Sequence, residues 1–466
     1  MLAEGQSRKM GSKKKVKLST TQVIALGFLG VIFLGSFLLY LPISNQEPIK
    51  YIDALFTAVT AVCVTGLITV FPATQFTLFG KIVMLALIQI GGLGIICCAM
   101  TVFIIIRKKI TMKNRVMIQQ TYDLDTLSGM VQFIIRVIKI TFLIEGIGAV
   151  LYSIKFIPQF GVIRGIWYGV FHSISAFCNA GLDILGESSL ISYANSPIIN
   201  FTTMFLIISG GLGFTVWHDI YINIKETVQK KAPLKRIFRK LSLQSKIVLC
   251  MTAGLLLLGT FGFLMLEYNN VETMEGMSFG EKLMASAFQS VTTRTAGFAS
   301  VPQSGLTTAS KILGCILMFI GGSSGGTAGG IKTTTMAILV LTCISVVRGQ
   351  RKTECFGRRL VGTNVRSGIA IALLSFAIWL IGVMGVTILE PSVPLEDILY
   401  EVTSAIGTVG LSADRTASLC TGSHVILMIL MYIGRIGPIT MAFVFAGKED
   451  LSEKFRDLPE KRIMLG

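Results

Sequence analysis

The chain has 466 residues, of which 52% are hydrophobic and only 14% charged, with a formal net charge of +17. A soluble protein of this length needs far more polar surface, so soluble enzymes and soluble binding domains are excluded. The excess charge lies in connections and forms no basic folded domain, which excludes nucleic-acid binding as its purpose.

In chain order, a basic leader (Arg8, Lys9, Lys13, Lys14, Lys15, Lys17) precedes the apolar run 22–43. That run is too long for a signal-peptide core and lacks a small-residue cleavage site, so it reads as the first spanning helix. Further runs long enough to cross a bilayer occupy 78–106, 131–157, 197–221, 247–267, 308–347, 367–389 and 424–446. An all-α integral membrane protein with eight spans is expected. Lys and Arg gather in alternate connections: the leader, Arg107 to Arg115, Lys225 to Lys246, and Arg348 to Arg366. The intervening ones lean acidic: Glu47 and Asp53, Asp183 and Glu187, Glu267 to Glu275, Glu390 to Glu401. The positive-inside rule then places both termini and all basic loops in the cytoplasm. The cysteines form no C-x-x-C pair, and His172, His218 and His424 are far apart, so no metal cluster is expected.

One short phrase returns four times: CVTGL (63–67), CNAGL (178–182), RTAGF (294–298) and GTVGL (407–411). Its glycines, Gly66, Gly181, Gly297 and Gly410, are spaced 181 − 66 = 115, 297 − 181 = 116 and 410 − 297 = 113 residues apart. Such even spacing marks an internal repeat. Each phrase follows a Ser/Thr/Ala-rich stretch long enough for a short helix and too short to span. Each is followed by an apolar run with its own glycine cluster: IGGLG (90–94), SGGLG (209–213), IGGSSGG (320–326) and IGRIG (433–437). Four units are expected, at 1–118, 119–240, 241–361 and 362–466, each a spanning helix, a re-entrant helix with its phrase, and a second spanning helix. Irregular backbone at membrane depth must be buried in protein or line a water-filled cavity, so the units should gather around a shared pore. Glycine lets successive carbonyls turn inward, where a ring of them can replace a cation's hydration shell. The candidate ion-binding residues are therefore Cys63, Val64, Thr65, Gly66, Cys178, Asn179, Ala180, Gly181, Arg294, Thr295, Ala296, Gly297, Gly407, Thr408, Val409 and Gly410.

DALFTAVTAVCVTGL, SAFCNAGL, TTRTAGF and GTVGL resemble the four selectivity-filter loops of the Trk/Ktr/HKT superfamily of potassium transporters, and LIQIGGLG and YIGRIGP add to the likeness. The resemblance covers nearly the whole chain and is nearest to the bacterial KtrB-type membrane subunit. It implies potassium uptake across a bacterial plasma membrane with potassium as substrate and no cofactor, and it allows sodium to act as an activator. In the family, serine at the first filter glycine goes with sodium preference; glycine at all four positions here implies potassium. The resemblance also implies a homodimer on a cytoplasmic ring of nucleotide-binding RCK subunits. The basic loops 225–246 and 348–366 and the tail 447–466 are the expected docking surface.

The third unit carries GGSSGGTAGGIKTTT (321–335) inside its apolar run. Glycine costs roughly 1 kcal/mol per position relative to alanine in a helix, so this stretch should be a flexible loop within the membrane. Ser323, Ser324, Thr327 and Lys332 should face water. The resemblance implies a gate there: Gly321, Gly322, Ser323, Ser324, Gly325, Gly326, Thr327, Ala328, Gly329, Gly330 and Lys332, with Arg435. The other reading of the stretch is a passive kink. It is no nucleotide-binding P-loop, because Ile331 separates Gly330 from Lys332. Arg435, near the middle of the last run, should face the interior. It either raises the barrier to a passing cation or holds structure through a salt bridge or bonds to the loop's carbonyls, and the two roles are compatible. Glu145, in the third run, should pair with a buried donor. No nucleophile–base constellation is present, so the chain is not read as an enzyme. The remaining alternative is the potassium-binding subunit of an ATP-driven pump, a family that usually has two further spans.

Overall fold

The structure, a computed structural model, describes residues 19–106, 111–122, 129–231, 236–350 and 352–445. The basic leader and the tail 447–466 lie outside the described residues, as do parts of the basic loops.

One order of helices recurs along the chain. Long outer helices are Thr20–Tyr40, Met130–Phe160, Leu243–Glu267 and Gly362–Leu389. Short helices follow them: Tyr51–Cys63, Val162–Cys178, Phe279–Thr292 and Leu395–Gly407. Next come Leu78–Leu93, Pro197–Gly211, Thr308–Phe319 and Thr421–Ile436. Each of these is succeeded by a further helix: Ile95–Ile105, Phe214–Gln229, Thr333–Val347 and Pro438–Phe445. Side-chain caps set several starts. Ser19 and Gln22 exchange bonds as a capping box on the first outer helix, and Ser278 and Glu281 do the same on the third short helix.

Thr20–Tyr40, Leu243–Glu267 and Gly362–Leu389 are each long and apolar enough to cross a membrane, and two bent helix pairs bring the number to as many as five. The outer helices turn large apolar side chains outward: Leu34 is 61% exposed, Leu143 64% and Ile381 69%. Such a surface is stable against lipid and a liability in water. The short helices are packed in the centre instead, with Thr57, Thr60, Ser173, Ser175, Ser286 and Ser404 buried on them. Polar groups inside and hydrocarbon outside identify a multi-pass membrane protein.

Two features differ from the sequence expectation. The runs 78–106 and 197–221 are not continuous spans. They bend by 101° and 95° at Gly94 and Gly213, and the last run breaks at Gly437. All three glycines have positive φ (83°, 93° and 97°), a backbone region that L side chains rarely adopt. The run 308–347 is likewise two helices, separated by residues 320–332. Thr333, Thr334 and Thr335 belong to the second of them, so the glycine loop ends at Lys332. The named strands among the described residues form a small antiparallel ribbon, Glu354–Cys355 with Arg358–Arg359, in a basic loop.

Candidate ion-binding site

Three of the short helices end in the same way. Cys63, Cys178 and Gly407 are their last residues, and the next residue is left-handed: Val64 (φ 55°), Asn179 (φ 59°) and Thr408 (φ 50°). The third helix ends earlier, at Thr292, but Thr295 takes the equivalent left-handed position (φ 70°). Two residues on, Gly66, Gly181, Gly297 and Gly410 again have positive φ, at 105°, 64°, 83° and 94°. Two successive reversals of this kind turn the chain back from the helix C-terminus, which glycine permits without strain.

The four glycines meet. A Cβ on Gly66 would lie 2.7 Å from Ala180 O, one on Gly181 2.7 Å from Ala296 O, and one on Gly297 2.5 Å from Val409 O. One on Gly410 would run into Thr65 O, which closes the ring. Side chains of the short helices hold this backbone. Gly66 and Gly410 amides donate to Thr60 Oγ1 (2.9 Å) and Ser404 Oγ (3.0 Å). Ser175 and Thr292 hydroxyls donate to Leu182 O and Phe298 O, each at 2.6 Å. Among the described residues no protein donor reaches the carbonyls of residues 64–66, 179–181, 295–297 or 408–410. Buried carbonyls are ordinarily paired. Left free at the negative ends of four short helices, they are suited to a desolvated cation.

Side chains in the phrases mostly turn away from this ring. A Cβ on Gly91 would lie 2.8 Å from Val64 Cγ2, one on Gly434 3.1 Å from Thr408 Cγ2, and one on Gly211 3.5 Å from Asn179 Nδ2. Cys63 and Cys178 are fully buried, with Cys178 Sγ against Gly92. Arg294 directs its Nη2 to Gly321 O at 3.3 Å. These residues can therefore contribute backbone oxygen, while their side chains pack against neighbouring helices or, for Arg294, bond the glycine loop. The glycine clusters of the following helices are explained by the same packing. A Cβ on Gly91, Gly210 or Gly434 would overlap Val62 O, Phe177 O or Ile406 O, in the last turn of the short helix. Sequence reasoning noted the clusters without this cause; the signal was their recurrence after every phrase.

Outside the ring lies a cavity of about 210 Å³, lined by the four glycines together with Asp183, Glu187 and Asp414. Burial lifts the Asp183 carboxyl to about 6, although the amides of Leu185 and Gly186 bond it. Behind the fourth phrase, Glu401 is a buttress that sequence reasoning placed in an acidic connection. It lies within the short helix, 1% exposed, and accepts from Ser412 Oγ (2.6 Å), Ala413 N (3.0 Å) and Thr416 Oγ1 (2.5 Å). Its neighbour Asp397 pairs with Lys311 (2.8 Å) and Arg415 (2.9 Å).

On the other side of the ring sits the glycine loop. Its two limbs join where Gly321 N donates to Ile331 O (2.9 Å) and Thr333 N to Gly322 O (3.0 Å). The loop then docks on the break in the second unit: Ser323 N to Gly211 O (2.9 Å), Thr327 N to Gly210 O (3.2 Å), and Phe214 N to Gly325 O (3.0 Å). Thr327 Oγ1 donates to Phe177 O (3.1 Å), and Gly329 abuts Thr408. Ser323 and Thr327 are thus fully buried and do not face water, contrary to expectation. The broken neighbouring helix leaves the carbonyls of Gly210 and Gly211 free of helical partners, and the loop's amides satisfy them. Ser324 bonds Thr334 (3.0 Å), and Lys332 Nζ donates to Ala328 O (2.7 Å).

Arg435 reaches a carbonyl of the loop, as one of the sequence readings expected. It donates to Thr327 O of the loop and to Gly91 O and Gly92 O of the first unit. It also lines a cavity of about 580 Å³ beneath the loop, with Lys332, Gly325, Gly326 and Ala328. Glu145 is buried and accepts from Gln89 Nε2 at 3.1 Å.

Comparison with known proteins agrees with this architecture. Residues 7–455 match the TrkH family, described as a cation transport protein. The chain is 39% identical to the potassium/sodium uptake protein NtpJ of Enterococcus hirae, over 97% of this chain and 99% of that protein. It is 39% identical to the Ktr system potassium uptake protein B of Bacillus subtilis, over 95% and 97% of the two chains. The crystal structure of the potassium transporter TrkH from Vibrio parahaemolyticus shares the fold, with a TM-score of 0.73 at 16% identity over 93% of this chain and 86% of that one. The chain belongs to the TrkH family of cation transport proteins.

Proposed function

We propose that this chain is the ion-translocating subunit of a Ktr-type potassium uptake system. The observation that carries the reading is the ring of buried carbonyls without protein donors, closed by Gly66, Gly181, Gly297 and Gly410. Potassium as the cargo is supported by the names of the near full-length relatives, and by glycine at all four ring positions. The family match leaves the pump-subunit alternative without support. Four units surround the pore, each contributing an outer span and a second span broken near its middle. A potassium ion enters from the acidic outer cavity, exchanges water for carbonyl oxygens, and meets the glycine loop before the inner cavity. The loop with Arg435 is the gate. Transport is passive: a membrane potential of 100 mV alone supplies about 2.3 kcal/mol per charge for inward movement. Both termini lie in the cytoplasm, in accord with the positive-inside rule. A homodimer resting on a separate RCK-type regulatory ring, with sodium as an activator, completes the system; the relatives named as parts of a Ktr system support such a partnership.

Potassium uptake by a bacterial strain lacking its own uptake systems tests this. Wild type, co-expressed with an RCK partner, should restore growth in low potassium, and Gly66→Ser should admit sodium. Absence of rescue would overturn the transport reading; rescue with unchanged selectivity would move the filter elsewhere.

A further inference from the structure

Two guanidinium groups reach the glycine loop, and the resemblance gives a role to one of them. Arg435 rises from the fourth unit to Thr327 O. Arg294 comes from the ring itself. It stands where the other phrases have Cys63, Cys178 and Gly407, all neutral, and is 8% exposed. Among the described residues it forms no ion pair with a carboxylate. A buried cation without a counter-ion is costly, so its presence has to be explained by what it grips. What it grips is Gly321 O, at 3.3 Å. Gly321 is the neck of the loop, since its amide pairs with Ile331 O and brings the two limbs together. The guanidinium lies beside a cavity of about 20 Å³ lined by Gly211, Thr252, Leu256 and Gly322, room for one water to satisfy its otherwise unpaired Nε.

We infer that Arg294 is a positioning residue that ties the neck of the gate loop to the third filter phrase. Opening the loop then requires release at two guanidinium contacts, one at the neck and one at Thr327, and the neck contact makes the ring sense the state of the gate. A charge-assisted bond of this kind is directional, and a side chain without donors leaves the neck held by its own backbone pairs alone. The inference rests on the pore reading above, but its test does not require transport.

The test uses Ser323→Cys as a reporter, because Ser323 is fully buried while the loop is docked. The purified full chain is labelled with N-ethylmaleimide, a neutral reagent indifferent to pore charge, and the sites are read by peptide mass spectrometry. Adding Arg294→Met should speed labelling at position 323 on the order of tenfold, the effect of losing one hydrogen bond to a charged group. Buried Cys63 and Cys178 should label at the parental rate. Equal labelling at 323 with and without Arg294→Met overturns the inference, as does a parallel increase at all three sites, which would mean general loosening. If Arg294→Met does not assemble by size exclusion, Arg294→Gln decides by the same readout, and failure of both to assemble assigns Arg294 to folding and overturns the gate role. A Ser323→Cys chain that labels slowly at position 323 yet carries no potassium would instead sink the pore reading.

Discussion

Units one, two and four interrupt their second helix at one glycine, Gly94, Gly213 or Gly437; unit three interrupts it from Ile320 to Lys332. At the short breaks the chain stays against its own short helix, and Gly91, Gly210 and Gly434 let it approach that helix's last carbonyls. The long break leaves its own unit, bonds Gly210, Gly211 and Phe177 of unit two, and lies against Thr408 of unit four. Three of the breaks pack against their own short helices, and in the proposed function the fourth closes the way beneath the ring.

The comparison breaks most severely at a short break. Gly210→Ala drives a Cβ into Phe177 O, where backbone cannot yield, and should destabilise the chain by about 3 kcal/mol. Gly146→Ala, on an outer helix with nothing within 4 Å, is the control and should stay within about 1 kcal/mol of wild type. Thermal unfolding in detergent reads both; equal melting temperatures would remove the packing role assigned to the glycine clusters.

At the long break the prediction reverses. Deleting 323–330 should leave a folded chain, because Gly321 and Ile331 already sit side by side. It should raise the initial rate of potassium uptake severalfold. An unchanged rate in a properly inserted variant would return the loop to a passive kink.

The smallest effect concerns the outer cavity. With its carboxyl lifted to about 6 by burial, Asp183 is largely charged at pH 7.5 and neutral at pH 5. Potassium uptake at low potassium and low ionic strength should therefore fall a few-fold as pH drops through 6, because a neutral mouth concentrates the cation less. Asp183→Asn should be slower at pH 7.5 and flat over this range. An unaltered pH profile in that variant would assign the dependence to another group.

Much of this was legible in the residues. The four phrases and their spacing, the short Ser/Thr/Ala-rich helices before them, and the glycines of the third unit are all local patterns. The direction of the side chains was not legible. Arg294, Val64 and Asn179 sit in the phrases, yet their side chains turn outward, because the ring is packed backbone to backbone and its glycines leave no room for a side chain. Ser323 and Thr327 read as polar and therefore wet, but the break at Gly213 leaves carbonyls that they cover.

The sequence by itself determined a helical membrane protein and irregular backbone at the four phrases and the third unit's glycine loop, though not at Gly94, Gly213 or Gly437, since composition, apolar run length and glycine placement act through short-range sterics and transfer from water. Only the tertiary structure decided which carbonyls stay free, which glycine admits which neighbour, and that Arg294 reaches the loop beside Arg435. Those outcomes depend on contacts between residues well separated in the chain, from Arg294 with Gly321, 27 positions apart, to Thr327 with Phe177, 150 positions apart, and no local pattern encodes the distance between two units.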